Sequence, residues 1–283
     1  MKPYYSDEAV TLYHGDCQDV LPLVLADNGV DHIITDPPYS DYVHAKSRRG
    51  GATAPSKDGS GRTPPASFAR VKEFGFDALT SEVREFCGLQ FARLARRWVL
   101  VFSDVESSMV WRETLTDEWR LKNPACRQLE YVRTGCWLKR GSTPQFTGDR
   151  PATGFEAVTI CHPKGRKRWN GGGGHAVWEH AIVLNRSGDD PRLHTTQKPE
   201  ALMRELVLQF TDFGEVVLDP FAGSGSTGAA CKKLGRLAVL VEAQEQYCEV
   251  IAKRIAAIGM EPRLLPSADH RGKQRDIFSE PRV

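Results

Sequence analysis

The sequence of 283 residues lacks any long hydrophobic run. Its densest apolar stretch, Trp98–Phe102, is far shorter than the roughly 20 residues that a helix needs to cross a bilayer. The first residues also lack the apolar core of a signal peptide. Both absences predict a soluble protein that stays in the cytoplasm and does not contact a membrane.

Cysteine pairs at metal-binding spacing are absent as well. The seven cysteines form no Cys-x-x-Cys motif and occur singly along the chain. An odd number of widely spaced cysteines is typical of free thiols in a reducing compartment. We therefore expect neither a disulfide framework nor a metal site.

The chain has little excess charge of either sign, because 38 basic residues oppose 36 acidic ones and the formal net charge is +2. This balance conceals two basic segments. Residues 44–75 carry +5 and residues 133–168 carry +6, which leaves −9 for the rest of the chain. Such concentration of positive charge is typical of proteins that bind a polyanion, although either segment alone could be a solvated loop.

Short buried strands alternate with amphipathic helices along most of the chain. Apolar residues recur at helical spacing after Ser81, after Pro199 and again after Tyr247, and the strand-like runs are β-branched or aliphatic. This alternation predicts an α/β fold in which helices cover both faces of a mostly parallel sheet. The predicted strands cover residues 31–35, 98–102, 216–218 and 237–241.

Three segments interrupt this pattern. Residues 40–76 are rich in glycine, proline, serine and basic side chains, which predicts a long, mobile basic loop. Residues 163–194 include four consecutive glycines and predict a small irregular insertion. The polar residues 261–283 predict a disordered tail, so one domain is expected over residues 1–260.

A glycine-rich loop follows the predicted strand at 216–218. Gly223, Gly225 and Gly228 satisfy the pattern G-x-G-x-x-G, and Glu242 ends the next strand about 20 residues later. This arrangement is typical of a site for an adenosine-containing ligand, although such a turn can also merely pack a helix on its sheet. A dinucleotide is possible, but the carboxylate of Asp219 would then face its pyrophosphate. That carboxylate suits a ligand with positive charge, such as a sulfonium.

The turn Asp36-Pro37-Pro38-Tyr39 follows the strand at 31–35. Its two prolines stiffen the backbone and remove two N–H donors. A carboxylate, free carbonyls and an aromatic ring remain at the end of a strand, where ligands of open α/β sheets bind. These acceptors match the exocyclic amino group of a flat base. The alternative is a tight turn with a surface tyrosine.

These two motifs, in this order, resemble the β-type (permuted) amino-group DNA methyltransferases that use S-adenosylmethionine. The resemblance spans about residues 10–260 and implies a Rossmann-like, doubly wound sheet of seven strands with a target-recognition insertion at 163–194. It implies transfer of a methyl group to a flipped base in double-stranded DNA, as in restriction–modification. A location at the bacterial nucleoid or an origin in a phage, and assembly as a homodimer, are compatible with it.

The resemblance also implies roles for individual residues. The catalytic group comprises Asp36, Pro37, Pro38 and Tyr39, and phosphate contacts are expected from Lys46, Arg48, Arg49, Arg166, Lys167 and Arg168. Thr195 departs from the family pattern, which commonly has proline there. The residues expected to bind the cofactor are Asp16, Cys17, Lys198, Asp219, Phe221, Ala222, Gly223, Ser224, Gly225, Ser226, Thr227, Glu242 and Ala243.

Several alternatives stay open at this point. Aspartate before the two prolines resembles the adenine-N6 type of the family, with cytosine-N4 as the other reading. A nicotinamide-dependent oxidoreductase or a non-catalytic nucleic-acid-binding module would fit the glycine loop alone. The region of Trp137, Lys139 and Phe146 resembles a loop that closes over the target base, but we favour a pair of strands packed on the sheet.

Overall fold

The computed structural model describes most of the chain from Met1 to Gly259. The predicted loop at 40–76, the predicted tail at 261–283 and the candidates Lys46, Arg48 and Arg49 all lie outside the described residues. The described residues are 1–25, 29–39, 79–117, 124, 126–142, 149, 151–184, 193 and 197–259.

Nine strands of the described residues form one sheet in the order β1-β2-β9-β8-β3-β4-β6-β5-β7. Five of the eight neighbouring pairs are parallel, so the prediction of a mostly parallel sheet is confirmed. The sheet is larger than the seven strands expected. The strands are β1 (Tyr5–Ser6), β2 (Val10–His14), β3 (His32–Thr35), β4 (Val99–Ser103), β5 (Leu129–Arg140), β6 (Phe155–Pro163), β7 (Val177–Ala181), β8 (Val216–Asp219) and β9 (Leu237–Glu242).

Six described helices cover the two faces of this sheet. The apolar side chains of α1, α2 and α3 pack into one buried cluster, and those of α4, α5 and α6 pack into a second cluster on the other face. The prediction of helices on both faces is therefore confirmed. The helices are α1 (Cys17–Val24), α2 (Ser81–Leu94), α3 (Val105–Thr116), α4 (Glu200–Phe210), α5 (Ser226–Lys233) and α6 (Glu245–Ala256).

The central strands are apolar throughout because both of their faces are covered. In β4, Leu100 and Phe102 point into the cluster under α4–α6, whereas Val99 and Val101 point into the cluster under α1–α3. All five residues of β4 are buried. This strand therefore anchors a rigid platform, and its last residue, Ser103, lies at the same edge as the ends of β3 and β8.

The segment at 163–194 differs in part from the expectation of an irregular insertion. Residues 177–181 form β7, which pairs in parallel with β5 at the end of the sheet. Trp178 explains this regularity, because its side chain is buried in the core and its indole Nε1 donates to Gln209 Oε1 over 2.9 Å. Burial of one tryptophan thus fixes a strand in a segment whose composition predicts a loop.

Candidate active site

The Asp-Pro-Pro-Tyr turn begins directly after β3. Burial raises the pKa of Asp36 to about 6, although the neighbouring Lys198 ammonium acts in the opposite direction. One carboxylate oxygen, Oδ2, accepts from Lys198 Nζ. The other, Oδ1, is buried and has no hydrogen-bond partner among the described residues. A buried acceptor without a donor is costly and is typical of a site that a ligand completes.

Lys198 lies at the centre of this site, with only 6% of its side chain exposed. Its ammonium is 3.1 Å from Glu156 Oε2 in addition to its contact with Asp36. Three aromatic rings surround the same ammonium, with centroids 5.6 Å (Tyr39), 5.1 Å (Phe102) and 5.8 Å (Trp137) from Nζ. Such rings favour a cation near their faces, so the lysine is held charged beside Asp36.

Glu156 completes the cluster and was not among the residues predicted from the sequence. It lies near the start of β6, is buried, and contacts Lys139 Nζ through Oε1. The lysine neighbours keep the pKa of Glu156 below its usual range even though burial opposes this. Burial raises the pKa of Tyr39 well above its usual value, and the negative charge of Glu156 acts in the same direction. Asp36, Lys198, Glu156 and Lys139 thus form one continuous chain of alternating charges.

The second half of the site is the glycine loop after β8. Asp219 is almost fully buried, and burial raises its pKa. Its Oδ1 accepts from Thr35 Oγ1 (2.7 Å) and from the Phe221 amide (3.2 Å), and its Oδ2 accepts from Thr227 Oγ1 (2.6 Å). The hydrogen bond from Thr35 joins this loop to the strand that carries Asp36.

The glycines give the loop its shape. Gly223 and Gly225 have φ angles of +54° and +75°, which non-glycine residues rarely adopt. A Cβ on Gly223 would meet nothing within 4 Å, so open space lies over the loop at this position. The Gly223 amide donates to Glu242 Oε2 over 2.8 Å, and the Gln244 amide donates to Oε1 over 2.9 Å.

This arrangement fits S-adenosylmethionine. The space over Gly223 offers a cradle, and each oxygen of the buried Glu242 carboxylate retains a further lone pair for a ribose hydroxyl. The buried Asp219 carboxylate at the base of the loop adds no positive charge that would attract a pyrophosphate. The residues present therefore match a cofactor with one adenosine and a sulfonium.

The remaining cofactor candidates adjoin Glu242 or the glycine loop. The Gly15 amide donates to the Glu242 carbonyl over 3.0 Å, so the segment with Asp16 and Cys17 lies beside β9. Asp16 is exposed and its carboxylate caps α1 by accepting from the Gln18 amide over 2.8 Å, whereas Cys17 is buried. Ala243 is held through its carbonyl, which lies 3.2 Å from the ring nitrogen Nε2 of His14.

The two halves of the site are joined again at the start of α5. The Ser226 hydroxyl donates to the Lys198 carbonyl over 2.8 Å and lies 3.2 Å from the Ser224 hydroxyl. The Ala222 amide donates to the Val241 carbonyl over 3.0 Å. The main chain of Lys198 thus contacts the glycine loop, and the side chain of Lys198 contacts Asp36. The sequence predicted only that Lys198 contacts the cofactor.

Arg166, Lys167 and Arg168 are not brought together with Asp36. They follow the end of β6, which runs antiparallel to β4 and returns the chain to the opposite edge of the sheet. The Arg168 carbonyl accepts from Trp98 Nε1 over 2.6 Å just before β4 begins, and a five-residue strand puts roughly 15 Å between the two edges. Lys167 pairs with Glu130 there over 2.7 Å.

The region of Trp137 and Lys139 forms the strand pair that we favoured, since both residues lie on β5, which pairs with β6. Phe146 lies outside the described residues. The two side chains nevertheless belong to the site, because Trp137 faces Lys198 and Lys139 contacts Glu156. Among the described parts of the chain, no helix is long and apolar enough to span a membrane, and no group of metal-ligating side chains is found.

Comparisons with known proteins agree with this geometry. The family model N6_N4_Mtase, described as DNA methylase, matches residues 136–254. The chain is 25% identical over 287 residues to the type II methyltransferase M.HinfI of Haemophilus influenzae, covering 93% of this chain and 72% of that protein. It is 26% identical over 264 residues to the type II methyltransferase M2.DpnII of Streptococcus pneumoniae, covering 90% and 93%.

A solved structure shows the same fold. The crystal structure of the M1.HpyAVI–SAM complex matches with a TM-score of 0.61 at 22% identity, covering 87% of this chain and 98% of that one. This likeness shows that the two chains share their fold. The chain is thus similar to a DNA methylase family model over residues 136–254 and to two type II methyltransferases over at least 90% of its length.

Proposed function

We propose that this protein transfers the methyl group of S-adenosylmethionine to the exocyclic N6 of a flipped adenine in double-stranded DNA. The observation that carries the proposal is the buried, unpartnered Oδ1 of Asp36, which lies at the same sheet edge as the glycine loop. The hydrogen bond from Thr35 to Asp219 fixes the strand of one motif to the loop of the other. An acceptor for an amino group is thereby set beside a cradle for the methyl donor.

The chain contributes mainly positioning. When bound, S-adenosylmethionine supplies an already activated methyl group. The amino nitrogen of a base is a weak nucleophile, because its lone pair is delocalised into the ring. Asp36 Oδ1 accepts one hydrogen of that amino group and the Pro37 carbonyl accepts the other, which directs the lone pair toward the methyl group. Correct positioning of this kind is worth about 7–11 kcal/mol.

Asp36 also receives the proton that the amino group releases. A carboxylate with a pKa of about 6 is ionised at neutral pH and remains a better base than an ordinary aspartate. Tyr39 stacks on the flipped base, which offsets part of the cost of removing the base from the duplex, at about 1–3 kcal/mol per stacked base.

The choice of adenine is supported by the aspartate before the two prolines, and cytosine-N4 is the second candidate because the matched family model covers both types. The test is incubation of unmethylated plasmid DNA with the protein and S-adenosylmethionine, followed by mass spectrometry of the nucleosides. We expect N6-methyladenine. N4-methylcytosine would establish the second candidate, and the absence of both would refute the proposed function.

Lys198 is expected to control the pH dependence of this activity. Its ammonium lowers the pKa of Asp36, so Lys198→Met should raise that pKa above about 6. Because Asp36 must be ionised to accept a proton, the acid limb of kcat should move to higher pH, with activity partly restored in alkaline buffer. A pH profile of single-turnover methylation measures this shift, and an unmoved acid limb would contradict it.

The DNA contacts expected from Arg166 and Lys167 can be tested separately. Both side chains are exposed at the edge of the sheet opposite Asp36, so DNA whose base reaches Asp36 lies on the other side of the domain. We expect the pair Arg166→Ala and Lys167→Ala to change the KM for DNA by less than about twofold. A steady-state assay at low salt, where phosphate contacts contribute most, is the appropriate measurement. A large rise in KM would show that DNA extends to this edge.

A further inference from the structure

Glu156 is the carboxylate of the charged cluster that the proposed mechanism leaves without a role. Its carboxylate is about as buried as that of the ligand-facing Glu242, with 7% and 8% of each residue exposed. A buried carboxylate is costly unless it is paired, and here two lysines provide the pairing. Such a pairing at the methyl-transfer site requires an explanation beyond stability, because apolar side chains of similar volume fill such spaces at lower cost.

The contacts of Glu156 hold one cation in place. Its Oε1 contacts Lys139, and its Oε2 is 3.1 Å from the Lys198 ammonium. Lys198 contacts Asp36 through Oδ2 alone, and Oδ1 stays without a partner. The ammonium is therefore shared between two carboxylates, Asp36 and Glu156.

A lysine ammonium has three donor hydrogens and no fixed direction, so its position depends on its surroundings. Without a second carboxylate, Coulomb attraction would draw it fully onto Asp36, where it could bridge both oxygens. The acceptor that the target amino group needs would then be occupied. Three aromatic rings also lie near the ammonium, and no third carboxylate among the described residues is within 4 Å of it.

We infer that Glu156 is a positioning residue that restrains Lys198, so that Lys198 contacts only one oxygen of Asp36 and leaves the other free for the target base. Glu156 acts through Lys198 and does not touch the reacting atoms. This inference rests on the proposed function, because it concerns the same methyl-transfer site. It adds a residue from β6 to the residues that the site takes from the ends of β3 and β8, from β5 and from the segment before α4.

The first test is a double-mutant cycle on methylation. Glu156→Gln keeps the size of the side chain and should lower kcat about tenfold, with the Kd for S-adenosylmethionine changed by less than about threefold. Because Glu156 acts through Lys198, adding Glu156→Gln to Lys198→Met should lower kcat no further. Glu179→Gln is the matched control, since Glu179 is exposed on β7 and pairs only with Arg140 among the described residues. Additive losses in the cycle would overturn the inference.

The second test needs neither DNA nor cofactor. In protein labelled with ¹³C at aspartate carboxyls, NMR titration follows Asp36, which Lys198, Glu156 and Asp219 surround with charge. Glu156→Gln should lower the pH at the midpoint of the Asp36 titration, because one negative charge is lost and Lys198 moves closer to Asp36. Lys139→Met should raise it, because Glu156 then draws Lys198 toward itself. Glu179→Gln should leave the midpoint unchanged.

The two tests separate the possible failures. Midpoints that do not move, or that move in the same direction in both variants, would overturn the role of Glu156 even if the enzyme methylates DNA. Opposite shifts in a protein that methylates no DNA would leave the role of Glu156 intact and refute the proposed function. If Glu156→Gln does not fold, the Lys139→Met titration still decides, because an unchanged or lowered midpoint contradicts the inference.

Discussion

Replacing Asp36 by asparagine is expected to reduce methyl transfer by about 10³-fold, within the range for the loss of a positioned general base. Asparagine keeps the size of the side chain but cannot take up the released proton. It also loses the negative charge that Lys198 contacts. The measurement is single-turnover methylation with saturating DNA and S-adenosylmethionine, so that binding does not limit the rate.

Cofactor binding should survive this change, because Asp36 belongs to the turn after β3 and the cradle belongs to the loop after β8. Isothermal titration with S-adenosylmethionine is expected to give a Kd within about threefold of the unmodified protein. Asp212→Asn serves as a matched control, since Asp212 pairs with Arg97 and Arg168 at the opposite edge of the sheet. Near-normal turnover of Asp36→Asn, with the cofactor bound, would refute the mechanism.

Replacing Gly223 by alanine should weaken the binding of S-adenosylmethionine by about 10- to 100-fold. The added methyl group meets no protein atom within 4 Å, so it projects into the space over the loop that the cofactor requires. The substitution also costs about 1–2 kcal/mol of backbone strain, because φ at this position is +54°. Calorimetric titration measures the loss of affinity for S-adenosylmethionine, and urea unfolding measures the loss of stability.

Gly172 offers a control for the strain. It has a φ of +60°, and a Cβ there would also meet nothing within 4 Å, but it lies in the segment after β6 and far from the glycine loop in sequence. Gly172→Ala should therefore lose similar stability while the Kd for S-adenosylmethionine stays unchanged. Equal losses of cofactor affinity in both variants would show that strain, and not occupation of the cradle, explains the result.

The sequence predicts the central fold well because the pattern of burial is simple there. Central strands covered on both faces are continuously apolar, so β3, β4, β8 and β9 appear as short hydrophobic runs. The strands at the ends of the sheet carry weaker signals. Strand β7 has only one buried residue, Trp178, and its membership of the sheet depends on contacts with β5 and α4 that no local pattern contains.

Strand direction likewise decides which residues of the candidate site can be predicted from the sequence. Asp36 and Asp219 follow parallel strands, whose carboxyl ends meet at one edge, so their proximity can be predicted from strand order alone. Glu156 escapes this rule because β6 is antiparallel and brings its first residues, not its last, to that edge. The strand direction also explains Arg166 to Arg168, because the end of β6 carries them to the opposite edge. Charge composition identifies a basic segment but does not indicate at which edge of the sheet that segment lies.

The hydrogen bond between Thr35 and Asp219 joins residues that are 184 positions apart, and the paired residues of β2 and β9 are 228 positions apart. Contacts of such high contact order form slowly, because a long loop must close before they stabilise the chain. During synthesis the acceptor turn after β3 emerges well before β8 and β9. A nascent or truncated chain that ends before β8 therefore holds Asp36 without the methyl-donor half, so the two halves of the site can meet only after β8 and β9 have been made.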